Sequence, residues 1–208
     1  MVSSELWFGA SAGFFNGVAT QSLRFDSANT AYLYRTNSSN SNTKKFTWSG
    51  WVKKLVVFSS TDTANQTYVL GGGASNTAPN DALYFDAQAV GSLPINRLST
   101  YWYMGDSSGY VDYSEETDMQ FQDAGSWYHI VLAVDTTQST ASDRIKYYVN
   151  GTLQTSKTQY YGQVPQDMPT SINSNVLQNI GRSTDIGDSR TFEGYMAEIN
   201  FIDGVGPV

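Results

Sequence analysis

The sequence predicts an all-β protein folded as a two-sheet antiparallel sandwich, and three observations carry that expectation. Aromatic residues make up 14% of the chain and charged residues only 15%, alongside 18 Gly. This mixture is too aromatic for a disordered chain and too rich in Ser, Thr, Asn and Gly for a helical bundle. Apolar residues recur with a period of two, and no stretch has a convincing amphipathic helical period. Turn-forming residues separate these runs, which is the pattern of many short strands.

In chain order the alternating runs are Gln21 to Phe25, Ala31 to Arg35, Lys45 to Lys53, Thr67 to Leu70, Ala82 to Asp86, Arg97 to Tyr103, Trp127 to Asp135, Arg144 to Asn150, Val176 to Gly181 and Glu193 to Ile202. About ten strands suit two packed sheets better than a small barrel. The expected core holds Phe46, Trp48, Val52, Ile130, Leu132, Val134, Ile145, Tyr147 and Val149. Between strands, Asn37 to Thr43, Gly71 to Asn80, Gly105 to Asp118 and Tyr160 to Asn175 read as loops, the last with Pro165 and Pro169. Loops of this length more often bind or make contacts than merely connect, with disorder as the plainer alternative.

A chain of 208 residues is expected to make one core-bearing domain, here residues 21–208, preceded by an N-terminal arm, residues 1–20. The net charge is −7, and basic residues cluster only at Lys44-Lys45 and Lys53-Lys54, so nucleic acids and anionic membranes are poor partners. Without cysteine the fold rests on packing alone, and thiolate metal sites and cysteine nucleophiles are excluded. The N-terminus is apolar, but it lacks a basic leading region, carries Glu5 and is broken by Gly9, Ser11 and Gly13. Neither a signal peptide nor a membrane span is expected from it.

His129, the only histidine, lies in WYHIVLAVD, where Tyr128, Ile130, Leu132 and Val134 form one face and Trp127, His129, Val131, Ala133 and Asp135 the other. Both faces are largely apolar, so this strand belongs in the middle of a sheet, with Ile145, Tyr147 and Val149 on its hairpin partner. Asn150-Gly151 then supplies a tight turn. The nearest carboxylate in sequence, Asp135, stands about 20 Å along an extended strand, too far to orient His129 as a general base. A structural histidine is the expectation.

The segments SLRFDSANTAYLYRT, FTWSGWVKK, WYHIVLAVDTTQ, DRIKYYVNGTL and FEGYMAEINFIDG, in this order, resemble the successive blocks of laminin G-like domains in the concanavalin A-like lectin/glucanase superfamily. The resemblance runs from Ser22 to Gly204. Its most specific elements are Trp127-x-His129, the turn from Tyr148 to Gly151 and Gly194-x-x-x-Glu198. It implies a concanavalin A-like jelly roll in which His129 belongs to the framework. A narrower resemblance joins LWFGA at Leu6 to Ala10, SLRF, and FIDG at Phe201 to Gly204 to laminin G-like structural proteins of tailed bacteriophages. This implies a virion protein of the outer surface, in a fibre, a tail or a capsid decoration, with other virion proteins and copies of itself as partners. Relatives of this kind often continue well past the point where this sequence stops.

The superfamily also contains retaining glucanases, whose bulged motif Glu-x-Asp-x-x-Glu is similar to Glu198-Ile-Asn-Phe-Ile-Asp203. Retaining chemistry requires two carboxylates about 5 to 5.5 Å apart. Here the middle acid is Asn200 and the last is the shorter Asp203, and without a bulge residues five apart face opposite ways. A non-catalytic protein is therefore expected, with a retaining glycan hydrolase using Glu198 and Asp203 as the alternative.

Host surface glycans are a candidate further partner, because Tyr101, Trp102, Tyr103, Tyr110 and Tyr113 flank or lie in one polar loop and could stack on sugar rings. The plainer alternative places them in the core or a subunit interface. Trp7, Phe8, Phe14 and Phe15, spaced by small residues ahead of the first strand, read as a docking arm, with packing on its own sandwich as the alternative. No cofactor is expected. A metal site would have to be oxygen-rich, which restricts it to calcium, with Asp185 and Asp188, and also Asp135 and Asp143, as candidate ligands. None has EF-hand spacing, and solvated loop acids are the plainer reading.

Overall fold

In the computed structural model the described residues are 21–59, 66–73, 80–87, 94–106, 109–184 and 190–206. Thirteen strands form among them: β1 (Leu23–Phe25), β2 (Leu33–Thr36), β3 (Lys45–Lys54), β4 (Gln66–Gly73), β5 (Asn80–Asp86), β6 (Arg97–Asp106), β7 (Gly109–Gln120), β8 (Tyr128–Asp135), β9 (Ile145–Val149), β10 (Thr152–Leu153), β11 (Lys157–Gln159), β12 (Leu177–Ile180) and β13 (Gly194–Asp203). One sheet has the order β1-β13-β3-β8-β9-β10 and the other β11-β7-β6-β5-β4-β12-β2. Every neighbouring pair is antiparallel. The expected jelly-roll sandwich is therefore the observed fold.

Alternation decides which side chains meet between the layers. Phe46, Trp48 and Val52 on β3 leave no surface exposed, and neither do Ile130, Leu132 and Val134 on β8. With Ile145, Tyr147 and Val149 of β9 they pack against Val69, Leu70, Leu83, Phe85, Leu98 and Trp102 of the seven-stranded sheet in one continuous core. All nine residues expected in the core belong to it. His129 faces the other way, its ring 5.2 Å from that of Trp51, and its backbone N–H donates to Asn150 Oδ1 at 2.9 Å. The histidine is part of the wall. Asn150 and Gly151 both have positive φ, 51° and 80°, as the β9–β10 hairpin requires.

Polar groups also bridge the layers. Tyr147 Oη lies 2.5 Å from Thr100 Oγ1 on β6 and donates to the carbonyl of Glu115 on β7 at 3.0 Å, while Trp102 Nε1 donates to Thr100 Oγ1 at 3.1 Å. Gly181, at φ 84°, lets the chain pass Phe25: a Cβ there would stand 2.4 Å from the Phe25 ring. Only glycine meets both demands.

One expectation is overturned. Gly105 to Asp118, read as a polar loop, is the end of β6 and most of β7, a strand that buries two of its acids, Glu115 and Glu116, against cations. Glu115 faces the core and accepts from Lys157 Nζ at 2.6 Å, and Glu116 faces outward against Arg97. The short strands β10 and β11, also unforeseen, extend the two sheets beside β9 and β7.

Leu132→Ala, which empties a fully buried site, is expected to cost about 2 to 5 kcal/mol. Urea unfolding followed by circular dichroism reads this directly, and a cost under about 1 kcal/mol would place Leu132 outside a close-packed core.

Candidate functional site

Directly paired residues of antiparallel strands share a face, so the register assigns the outer surface of the seven-stranded sheet. Tyr68 pairs with Tyr84, Ala82 with Tyr101, Tyr101 with Ser114 and Tyr103 with Asp112. These residues alternate with the core-facing Leu83, Phe85, Leu98 and Trp102. The result is a row of tyrosines across β4, β5 and β6. The Tyr68 and Tyr84 rings stack at 5.2 Å and 19°, and those of Tyr101 and Tyr103 at 6.1 Å and 18°.

The row runs from buried to accessible. Tyr68 and Tyr84 are buried, and Tyr101 and Tyr103 are half-buried. Beyond β7, the N–H of Tyr160 donates to the carbonyl of Ser114 at 3.0 Å, continuing the β11 pairing and bringing two exposed rings, Tyr160 and Tyr161, to the edge of the row. Tyr101 Oη donates to Asp112 at 2.7 Å. Burial first, and then Asp112, push the Tyr101 hydroxyl far above the ordinary tyrosine range, so it stays a donor. Half-buried rings with a carboxylate beside them can stack on the apolar face of a sugar and accept its hydroxyls.

Of the five aromatics expected to bind sugar, two reach this face. Trp102 is fully buried in the core and Tyr113, paired with it, packs against the same cluster, because each is one residue out of phase with Tyr101 or Asp112. Tyr110 lies on β7, and its side chain is outside the described residues. Tyr68, Tyr84, Tyr160, Tyr161 and Asp112 were missed: only pairing register brings them together, although Tyr84 has the parity opposite to core-like Leu83 and Phe85.

Towards the other end of β6, about 20 Å from Tyr103, Asp86, Arg97 and Glu116 are buried on the same outer face. Arg97 pairs with Glu116, and Asp86, directly opposite Arg97 on β5, is the second acid of the cluster. Burial, opposed by Arg97 and reinforced by Asp86, pushes Glu116 up to about 7. One cation here faces two carboxylates, so the pair retains a proton.

Glu198 and Asp203 belong to the opposite sheet. A bulge does fall between Ala197 and Asn200, with Glu198 at φ 49°, but the two acids remain about 16 Å apart along β13. Asp203 accepts from Asn42 N at 3.0 Å, Asn173 Nδ2 at 2.6 Å and Ser41 Oγ, so it fastens the loop ahead of β3. The pair that the alternative hydrolase reading requires is not assembled. Among the described residues no three acids or histidines converge as a metal cage. Asp135 is held to about 2: burial alone would raise it, and hydrogen bonds from Thr137, Lys45 and Gln138 outweigh that. Asp143 faces Lys146 at 3.6 Å, and Asp185 and Asp188 lie outside the described residues, as do Trp7, Phe8, Phe14 and Phe15. No helix among the described residues is long and apolar enough to cross a membrane.

Residues 26–205 match a laminin G family model described as the concanavalin A-like lectin/glucanases superfamily. The chain belongs to this superfamily. Full-length tailspike protein 2 of Escherichia coli O157:H7 bacteriophage CAB120 is similar in fold over 92% of the chain and 25% of its own length, with TM-score 0.55 and 13% identity. The enzymatically active domain of bacteriophage CBA120 tailspike protein 2 aligns at TM-score 0.53 and 13% identity, over 92% of the chain and 28% of its own. The botulinum neurotoxin serotype G binding domain aligns at 0.53 and 14%, over 85% and 38% respectively. The chain thus spans well under half of each of these structures. No curated protein matches it.

The buried acids set an expected pH response. Glu116 keeps its proton to about pH 7 in the fold but releases it near 4.5 when unfolded, so stability declines as pH rises across that window. Asp81, pushed to about 7 by burial, adds to the same decline. Asp86→Asn leaves Arg97 and Glu116 as a balanced pair and should flatten the decline relative to the parent chain. Identical slopes in thermal melts from pH 4 to 8 would remove the shared-proton assignment.

Proposed function

We propose that this chain is a non-catalytic glycan-binding domain of a virion structural protein, displayed on the outside of a phage particle as part of a fibre, tail or capsid decoration. The observation that carries the proposal is the tyrosine row on the seven-stranded sheet, with Tyr101, Tyr103, Tyr160 and Tyr161 accessible beside Asp112. Membership of a superfamily that includes lectins supports it, and so does the fold shared with a phage tailspike protein and a toxin binding domain. A shallow aromatic face gives weak affinity per site, which suits a protein present in many copies on one particle. Contacts with other virion proteins and with further copies of the chain complete the role. No cofactor enters the reading.

A glycan array probed with a multivalent form of the chain tests the proposal. Tyr103→Ala and Tyr161→Ala are each expected to weaken binding about tenfold, equivalent to about 1.4 kcal/mol, while leaving the melting temperature within a few degrees. Binding that survives both substitutions would reject the tyrosine face. Release of sugar from a bound glycan would replace the reading with a hydrolase, and loss of binding in EDTA would bring calcium, with Asp185 and Asp188, back into the site. Mass spectrometry of purified particles tests the virion role, which absence of the protein would remove.

A further inference from the structure

Among the described residues, one side of the sandwich is open. In the seven-stranded sheet β2 is the last strand, and in the other sheet β1 covers β13 only from Gly194 to Met196. From Asn200 to Asp203, β13 pairs with β3 on one side and has no strand on the other among the described residues. Between these edges lies a cavity of about 630 Å³ whose apolar wall is Leu33, Trp48, Leu70, Ile180, Ile199 and Phe201. Leu33 and Phe201 are 47% and 40% exposed, although both sit on inward-facing positions opposite Ile180 and Trp48. Arg35, Asn37, Asn173, Gln178 and Asp203 form a polar rim around this wall, so the slot suits a segment that brings apolar side chains on a polar backbone.

We propose that the segment ahead of β1, residues 1–20 of the same chain, fills this slot with its aromatic side chains and extends the β1–β13 pairing along Asn200 to Asp203. Direction supports this: β1 is antiparallel to β13, with Phe25 opposite Gly194 and Leu23 opposite Met196, so the chain preceding Leu23 heads towards Phe201. Reach supports it as well. Met196 to Phe201 is about 17 Å, which five extended residues span, so Phe14 and Phe15 arrive at the cavity with chain to spare. Composition agrees, because no charged residue occurs from Leu6 to Leu23, whereas a solvated arm would carry some. The aromatic arm thereby becomes a missing piece of its own core.

Amide hydrogen exchange read by mass spectrometry, comparing the full chain with one lacking residues 2–16, is the test. Exchange at Phe201 to Asp203 and Leu33 to Thr36 should accelerate at least tenfold on deletion, with a severalfold rise in fluorescence of a hydrophobic dye. Unchanged exchange at both edges would overturn the proposal. Should the deleted chain fail to fold, Phe14→Ser with Phe15→Ser in the full chain gives the same readout. Analytical ultracentrifugation separates the remaining case: a full-length dimer that the deletion turns into a monomer would place the segment in a neighbouring copy and overturn seating within one chain. Glycan binding is read separately, since the tyrosine face is on the other surface of the sheet.

Discussion

The Tyr147 hydroxyl is the contact on which the rest of the arrangement depends. It reaches from β9 across the core to Thr100 on β6 and to the Glu115 carbonyl on β7, and Trp102 donates to the same threonine. A buried polar group left unpaired costs about 1 to 3 kcal/mol, so sliding β6 by one residue would forfeit several such bonds together. Lys157 strengthens the same junction, holding the Glu115 carboxylate at 2.6 Å and the Ile145 carbonyl at 2.8 Å. With Thr100 and Trp102 fixed inward, Tyr101 and Tyr103 have only the outer face left to them. The packing of the core thus sets the geometry of the surface that the proposed ligand would meet.

That surface is stiff where it is charged and open where it is aromatic. Asp86, Arg97 and Glu116 are buried beneath one end, where a single guanidinium offsets two carboxylates that share a proton. Such a cluster adds little net stability, because desolvation consumes most of the Coulombic gain, but breaking it would strand a buried charge. It therefore holds β5, β6 and β7 in register. The half-buried tyrosines at the other end sit on the same paired strands, and a pre-formed surface of this kind would limit the ordering cost of the proposed binding.

The sandwich is closed unevenly around this platform. Asp203 ties the loop before β3 to the end of β13, and Asn173 joins the same junction from the loop before β12. Gly181 brings the end of β12 against Phe25, whose ring meets Phe192 edge-on at 6.0 Å. These contacts close the interior beside β1. Further along β13 the interior remains accessible, among the described residues, between Leu33 and Phe201.

The sequence by itself determined the sandwich, the nine core residues and the Asn150-Gly151 turn, because alternation and turn chemistry are local properties that neighbouring residues already express. It also determined that His129 has no catalytic partner near it in the chain. Tertiary structure decided the rest, since pairing register is not written in any one strand. Tyr68 and Tyr84 are 16 residues apart in sequence and stack only because β4 pairs with β5. β7 looked like a loop because Asp112, Glu115 and Glu116 are polar, and Tyr101, Lys157 and Arg97, brought from other strands, supply the partners that let those side chains sit in a sheet. Trp102 was assigned to a sugar platform for the same reason. An aromatic residue's identity is local, but the face it occupies depends on which neighbour is already committed to the core.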